Sequence, residues 1–279
     1  MNTLATYNIK GGVGKTAAAV NLAYLAAVDG RRTLLWDLDP QGAASYLLRV
    51  RPRVKGGGKA LIRGKTSLDE AVKPTEFDRL DLVPADFTYR NLDLVLDAAK
   101  KPTQRIARLL APLDGDYDLS ILDCPPGISL VSENVVHAAD TLLVPLIPTT
   151  LSVRTLEQLD GFVAELDHPP ALLPFFAMVD GRKRLHREVI DDLRTRRGDL
   201  AAAALPALSL VEQMAVHRAP LPAFAPRSRV TRSYQDLWAE VRDRAAAATG
   251  ASRRRRRRSG PGGRPGRWCS GRPWPPARP

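Results

Sequence analysis

The sequence of 279 residues contains little cysteine or histidine, and each shortage excludes a class of protein. Its two cysteines, Cys124 and Cys269, lie far apart, which excludes a disulfide-stabilised scaffold and a cysteine-based zinc site and is typical of a reducing compartment. The four histidines are scattered, so we expect no transition-metal centre. The N-terminus has no basic segment followed by an apolar core, and the apolar runs are only strand-length. We therefore expect a cytoplasmic protein without a signal peptide or a transmembrane helix.

The basic charge of the chain is concentrated at one end. The formal net charge is +12, but segment 251–279 holds ten arginines and no acidic residue, which leaves 32 basic and 30 acidic residues before it. Arginine, glycine and proline cannot bury enough apolar surface to fold, so we predict one folded domain over 1–250 and a disordered tail over 251–279. The tail either binds polyanions, with Trp268 and Trp274 stacking on bases, or has no function.

A glycine-rich loop lies between an apolar run with strand character, 4–7, and a helix that begins near Ala17. Strand, glycine loop, lysine, hydroxyl and helix follow each other as in a P-loop, in which backbone N–H groups and the helix N-terminus surround phosphate oxygens. In such a loop Lys15 can reach the β- and γ-phosphates, and Thr16 can offer its hydroxyl to Mg²⁺. The alternative is a glycine turn that carries two solvated lysines, Lys10 and Lys15.

Two further motifs place carboxylates at the ends of apolar strands. The first strand ends in Asp37, which Asp39 follows at one residue's distance, and the second ends in Asp123. Ligands of a doubly wound parallel sheet bind beyond the carboxyl ends of its strands, so these carboxylates should reach the phosphate region. A strand that ends in aspartate is the Walker B arrangement, in which the carboxylate holds a Mg²⁺-bound water. Taken alone, the first motif could also be a turn capped by its own aspartate.

Together these motifs resemble the ParA/MinD family of deviant Walker A ATPases, and most closely its ParA-like partitioning members. The strict pattern G-x-x-x-x-G-K-[ST] fails at its first glycine, where Ile9 stands, and a second lysine, Lys10, lies at the mouth of the loop. The Asp-x-Asp-Pro-Gln sequence from Asp37 resembles switch I of that family, and the Pro-Pro-Gly sequence after Cys124 resembles switch II. The resemblance covers roughly residues 1–245. It implies a doubly wound, mostly parallel sheet with helices on both faces.

The resemblance also implies roles for individual residues. ATP and Mg²⁺ would be the cofactors, Asp39 would orient the attacking water, and Lys10 would reach across a homodimer to the nucleotide of the other subunit. Phosphate and base contacts are implied for Lys10, Gly11, Gly12, Val13, Gly14, Lys15, Thr16, Ala17, Met178 and Pro206, and metal contacts for Thr16, Asp37 and Asp123. Alanine at positions 17, 177 and 207 departs from the polar side chains that are common there in the family.

The stretch 49–65 is rich in both glycine and basic residues, and it contains no acidic residue. Such a composition is typical of a mobile surface loop. Two interpretations stay open from the sequence, namely a contact with nucleic acid and a solvated insertion without a partner.

The implied function is a slow ATPase switch. ATP would favour the dimer, the dimer would bind DNA non-specifically, and a ParB-like or other partner would stimulate release of a plasmid, a chromosome locus or a protein assembly. Candidates for the DNA face are Arg182, Lys183, Arg184, Arg187, Arg218, Arg227, Arg229 and Arg232. The alternatives are a MinD-like membrane-surface ATPase, a metabolic P-loop enzyme such as a synthetase, and a nucleotide-binding regulator without turnover. Because the tail has no apolar helical face, we expect no membrane partner. If the DNA binding holds, the location would be nucleoid-associated.

Overall fold

A computed structural model describes residues 1–99 and 101–258 of the chain. Its strands are β1 Asn2–Thr6, β2 Thr33–Asp37, β3 Lys73–Pro74, β4 Leu80–Val83, β5 Leu119–Asp123, β6 Thr141–Leu146, β7 Ala171–Val179 and β8 Ala204–Pro206. Its α-helices are α1 Lys15–Val28, α2 Ala43–Leu47, α3 Gly57–Ile62, α4 Leu68–Ala71, α5 Leu92–Asp97, α6 Arg105–Leu110, α7 Leu130–Ala138, α8 Thr150–Ala164, α9 Arg184–Arg196, α10 Ser209–His217, α11 Leu221–Phe224 and α12 Arg229–Arg258. Turns of 3₁₀-helix occupy Phe87–Asn91, Pro102–Gln104 and Ala111–Leu113.

The described strands form one sheet in the order β3-β4-β2-β5-β1-β6-β7-β8. Neighbouring strands run parallel throughout, except that β3 is antiparallel to β4. Strand β1 lies near the centre, and the order reverses on either side of it, which makes the sheet doubly wound. The predicted fold class is confirmed. Its consequence is that the carboxyl ends of the parallel strands all open onto one edge.

Apolar side chains alternate between the two faces of the central strands and build a core on each face. Leu4 and Ile121 belong to one core, whereas their neighbours Ala5 and Leu122 belong to the other. This is the period of two that a strand buried on both faces requires. Helices α1 and α12 cover the Leu4 side, and α5 to α9 cover the opposite side.

Helix α1 is apolar on nearly all sides because the sheet lies on one side of it and α12 on the other. Its buried polar residue Asn21 accepts the N–H of Leu221 at 2.8 Å and donates to the carbonyl of Ala17 at 2.8 Å. The helix ends at Val28, and Gly30 just beyond it adopts a φ of +87°, the left-handed conformation that terminates helices. This enclosure fixes the start of α1 and with it the glycine loop.

Residues 49–66 fold into a unit that we call the basic lobe, so the prediction of a mobile loop is wrong at this point. The lobe contains α3, and its apolar residues Val54, Leu61 and Ile62 are buried. They pack onto the 3₁₀ turn at 87–91 and onto α5. Composition suggested a loop because glycine and charge dominate it, whereas the few apolar residues between the charges decide the packing.

The final helix, α12, continues to Arg258 and so includes the first arginine run of the expected tail. Residues 259–279 lie outside the described residues, and the division of the chain at residue 250 stays a prediction. Within the described ranges, no helix combines the length and the apolar character that crossing a bilayer requires.

Candidate functional site

The ends of three adjacent strands bring the predicted carboxylates beside the glycine loop. In the parallel register Asp123 of β5 is paired with Asp37 of β2 on one side and with Thr6 of β1 on the other. All three side chains are buried. Because the loop follows β1 directly, the two carboxylates lie next to the start of the loop, where the sequence predicted the phosphate site.

The loop itself presents a set of unpaired backbone donors. Gly12 and Gly14 have φ angles of +70° and +92°, which side-chain-bearing residues rarely adopt. Within the described chain no protein acceptor receives the N–H groups of residues 11–14, and α1 starts at Lys15 without a side-chain cap. Free N–H groups and the positive end of a helix dipole together make a site for an anion such as phosphate.

The side chain of Lys15 lies across this loop. Its Nζ donates to the carbonyl oxygen of Asn8 at 3.1 Å and to that of Lys10 at 2.8 Å. Burial lowers the pKa of Lys15, and the acidic groups around it, Asp123 among them, oppose that change. Phosphate oxygens are stronger acceptors for an ammonium than two neutral carbonyls, so Lys15 stands where its predicted role requires.

Three residues for which the sequence indicated no contact with the loop hold it in place. Asn8 donates from Nδ2 to a backbone carbonyl of β6 at 2.8 Å and accepts the N–H of Lys10 at 2.9 Å. The N–H of Gly127 donates to the carbonyl of Ile9 at 2.9 Å, and the Tyr7 hydroxyl donates to the Gly127 carbonyl at 3.4 Å. These bonds join the glycine loop to the segment that resembles switch II. The available sequence signal was a polar Asn directly after an apolar strand.

Asp123 carries the clearest sign of a metal site. Its side chain is fully buried, the Thr6 hydroxyl donates to Oδ1 at 3.2 Å, and Oδ2 has no hydrogen-bond partner in the described part of the chain. Burial raises the pKa of Asp123, the charge of Asp37 raises it further, and the Thr16 hydroxyl acts against the rise. A divalent cation would stabilise the ionised carboxylate and engage the unpaired oxygen. Asp123 and Thr16 therefore fit Mg²⁺.

Asp37 differs from Asp123 because protein donors already engage it. Its Oδ2 accepts the N–H and the hydroxyl of Ser45, both at 2.8 Å, and its Oδ1 accepts the N–H of Asp39 at 3.3 Å. The Ser45 hydroxyl in turn accepts the N–H of Ala85 at 2.9 Å. Burial raises the pKa of Asp37. Asp37 thus anchors the switch I segment to α2 and to the end of β4, and its contact with the metal stays a prediction.

Asp39 and Lys10 lie at the mouth of the site, and both are half-buried. Oδ1 of Asp39 accepts the N–H of Gln41 at 2.9 Å in a local turn, which leaves Oδ2 without a partner among the described residues. The backbone of Lys10 is fixed by Asn8, but its ammonium forms no ion pair or hydrogen bond with a described residue. Both side chains can therefore act on a ligand at the mouth of the loop.

A cavity of about 300 Å³ opens beside Gly14 and Ala17. The predicted base contacts Met178 and Pro206 line it, and most of its other lining residues are apolar. Met178 has a φ of +54°, a strained conformation for a residue with a side chain, and such strain concentrates at functional sites. An apolar cavity next to an anion site suits the base of a nucleotide.

The sheet is doubly wound and has a glycine loop at its switch point. A buried lysine lies over that loop, and a buried carboxylate lies beside it. These features define a P-loop nucleotide-binding protein. A family model described as an AAA domain matches residues 1–170. The chromosome partitioning protein ParA of Caulobacter vibrioides is 30% identical over 264 residues, which cover 89% of this chain and 98% of that protein. The ParA protein of Myxococcus xanthus is 35% identical over 198 residues, or 67% of this chain and 68% of that protein. The chain belongs to the ParA/MinD family of P-loop ATPases.

Among solved structures, cobyrinic acid a,c-diamide synthase from Mycobacterium smegmatis with a bound ATP analogue and magnesium is similar over 86% of this chain and 93% of its own. The sequence identity is 26%, and the TM-score is 0.73. The groups bound in that structure agree with the predicted cofactors, ATP and Mg²⁺.

Proposed function

We propose that this chain is a ParA-like ATPase that dimerises around ATP and Mg²⁺ and uses slow hydrolysis as a switch. The observation that carries the proposal is the position of Lys10. Its backbone is held at the mouth of the loop, while its ammonium has no partner among the described residues of its own subunit. The nucleotide of a second subunit facing this mouth would supply the missing acceptor. The ParA relatives that span most of the chain support the same function.

The surface around the loop supports a dimer. Exposed apolar side chains lie at or beyond the carboxyl ends of β5, β6, β7 and β8, on the same edge as Lys10. They are Ile128, Leu151, Met178 and Leu208, with exposed fractions of 74%, 64%, 38% and 41%. An apolar row beside a charged site is typical of an interface, and a second copy placed face to face would cover both rows.

The residues of the site divide the work of hydrolysis among them. The loop backbone and Lys15 hold the β- and γ-phosphates, and Asp39 orients the attacking water from the mouth of the site. Thr16 and Asp123 would hold Mg²⁺, which when bound neutralises charge that develops on the phosphate oxygens. Lys10 would add a positive charge to the γ-phosphate of the other subunit.

The proposed dimer binds DNA through a basic face near the end of β7 and the start of α12. Several candidates for this face have partners within the chain. Arg182 and Arg184 are paired with Asp180 and Glu188 at 3.0 and 2.6 Å, and Arg218 is half-buried with its guanidinium over the ring of Tyr46. Arg187 and Arg232 are exposed and donate only to backbone carbonyls, those of Gly181 and Arg227 at 2.6 and 3.3 Å, so no acidic group in the described part of the chain neutralises their charge. We therefore assign the DNA contact to Lys183, Arg187, Arg227, Arg229 and Arg232. The protein would be cytoplasmic and nucleoid-associated, with a ParB-like or other partner that stimulates release of its cargo.

Light scattering after size-exclusion chromatography tests the dimer, with a non-hydrolysable ATP analogue and Mg²⁺ present. We expect the wild type to form a dimer with the analogue and a monomer with ADP. Lys10→Gln should remain a monomer, although calorimetry should show that the single subunit keeps most of its nucleotide affinity. Lys73→Gln, which removes an exposed lysine from the edge strand β3, is the control and should dimerise normally. A normal dimer of Lys10→Gln would mean that Lys10 is only a local contact.

A second candidate function is an ATP-dependent synthase, favoured by the similarity to the Mycobacterium smegmatis cobyrinic acid a,c-diamide synthase. Such an enzyme needs a pocket for a second substrate. A cavity of about 540 Å³, lined in part by Asp180, Arg182 and Arg229, lies next to the base cavity and shares Pro206 with it. ATP consumption that requires cobyrinic acid would favour the synthase. ATP turnover without that acid, combined with an ATP-dependent dimer, would favour the switch.

A further inference from the structure

The basic lobe, residues 49–66, carries charge that the nucleotide site does not use. Arg49 is paired with Glu76 at 3.6 Å, whereas the other cations of the lobe are exposed and form no ion pair with a described residue. These cations are Arg51, Arg53, Lys55, Lys59, Arg63 and Lys65. No acidic residue occurs in the sequence between Asp39 and Asp69. The lobe therefore presents positive charge that its own segment does not neutralise.

The backbone of the lobe is fixed to the rest of the domain. The N–H of Val54 donates to the carboxylate of Asp86 at 2.9 Å, and the N–H of Gly58 donates to the hydroxyl of Thr88 at 2.8 Å. Both acceptors lie just beyond the end of β4. Because these bonds and the buried apolar residues hold the lobe, a ligand would not have to order it, and the entropic cost of binding is small.

The three consecutive glycines of the lobe serve close packing. A Cβ atom on Gly57 would lie 2.7 Å from Oγ1 of Thr88, and one on Gly58 would lie 2.7 Å from Cδ2 of Leu92. Gly57 also has a φ of +66°, which favours glycine. The glycines thus allow α3 to pack closely against the domain, with its charged side chains directed outward. In a flexible linker, by contrast, glycines would keep the backbone mobile.

The fully exposed residues of the lobe are arginine, lysine, proline and glycine, since Val54, Leu61 and Ile62 are buried and Val50 and Ala60 are half-buried. A specific protein partner would require apolar or aromatic anchors at the centre of the interface, and the lobe exposes none. A phosphodiester backbone requires only closely spaced cations. We propose that the basic lobe is a nucleic-acid-binding surface that contacts phosphates without reading bases.

This surface is separate from the DNA face of the proposed function and goes beyond it. The lobe is held by residues just beyond the end of β4, whereas Lys183 and Arg187 follow β7. Five strand spacings of about 4.8 Å separate β4 from β7, which is about 24 Å in total. The lobe is described in one subunit and needs neither ATP nor a dimer. It should therefore bind nucleic acid in the ADP state as well.

The test uses the full chain with ADP and a fluorescent 20-base-pair duplex, whose affinity is measured against salt. The variant Lys59→Gln/Arg63→Gln removes two exposed cations of the lobe, and Lys73→Gln/Arg154→Gln removes two exposed cations elsewhere that likewise form no ion pair with a described residue. If each of the two lobe cations neutralises one phosphate, the slope of log affinity against log salt concentration should be shallower by about 1.8 in the lobe variant than in the wild type. Between 50 and 200 mM salt, wild-type affinity would then decrease about 12-fold more than that of the lobe variant. The control should match the wild type.

Hydrogen exchange on the wild type provides a readout that does not depend on any variant. Duplex DNA should protect peptides from residues 49–66, and a parallel measurement with single-stranded RNA shows which nucleic acid the lobe prefers. Equal salt slopes for the lobe variant and the control, or no protection of the lobe, would overturn the proposal. Equally strong protection by polyglutamate would assign the lobe to an acidic protein instead. Because every arm uses ADP, failure of the ATP-dependent dimer would leave this result unaffected.

Discussion

Replacing Asp123 by Asn should stabilise the ligand-free protein and abolish its response to Mg²⁺ and ATP. In the wild type this carboxylate is fully buried next to Asp37, and its Oδ2 has no hydrogen bond in the described part of the chain. A buried polar atom without a partner costs about 1–3 kcal/mol, and more when it is charged; Asn keeps a polar atom at this position and removes only the cost of the charge. We therefore expect ligand-free Asp123→Asn to be more stable than the wild type at pH 7 by about 1–3 kcal/mol. For a domain of this size each kcal/mol raises Tm by about 2–4 °C.

The pH dependence gives the same experiment a second readout. Burial, with the charge of Asp37, raises the pKa of Asp123 in the folded state above its unfolded value. The folded protein then holds the proton more tightly than the unfolded chain, and the bound proton stabilises the fold. This contribution to the free energy of unfolding is complete below the unfolded pKa and is lost as the pH rises through the folded pKa. Ligand-free wild type should lose stability between about pH 4 and about pH 8, and Asp123→Asn should lose less.

Ligand addition should reverse the order of the two proteins. A ligand at 100 times its Kd stabilises the wild type by about 2.7 kcal/mol, whereas the variant lacks the carboxylate that would hold Mg²⁺. Thermal melting with and without ATP and Mg²⁺, with EDTA in the ligand-free samples, measures both effects. Asp39→Asn is the control, because Asp39 is half-buried and should keep the ligand-induced shift. A ligand-free Asp123→Asn less stable than the wild type, or one with the full ligand-induced shift, would refute the reasoning.

The other predictions concern single contacts of the site. Lys15→Ala removes the ammonium that offsets phosphate charge, and calorimetry should show that tight ATP binding is lost; an unchanged Kd would remove Lys15 from the phosphate site. Asp39→Ala should bind ATP like the wild type but turn it over far more slowly in a phosphate-release assay, and wild-type turnover would exclude Asp39 from orienting the water. Ser45→Ala removes the hydroxyl that joins Asp37 to the N–H of Ala85, so chemical denaturation should show a loss of about 1–3 kcal/mol. No change in that experiment would mean that water replaces the hydroxyl.

The sequence by itself determined the fold class and predicted the nucleotide site. The chemistry of a P-loop resides in consecutive residues, Lys10 to Thr16, because glycine permits the backbone turn and the lysine and hydroxyl follow at fixed positions. Asp123 was predictable for a similar reason, since an apolar run that ends in aspartate places a carboxylate at the carboxyl end of a strand. The resemblance to the ParA/MinD family then implied a doubly wound sheet.

The tertiary structure decided which charged groups are free to act. Asp37 and Asp123 look equivalent in the sequence, but Ser45 donates to one oxygen of Asp37 and the N–H of Asp39 donates to the other, while one oxygen of Asp123 stays unpaired among the described residues. Stretch 49–65 has the composition of a loop, yet Thr88 and Leu92 form the surface onto which its glycines pack. Amino-acid composition gives the number of charged residues and glycines, but it does not show which residues they contact in the folded protein. Hydrogen bonds and burial, which decide whether a carboxylate can bind a cation or a lysine can reach a phosphate, come from segments that only folding brings together.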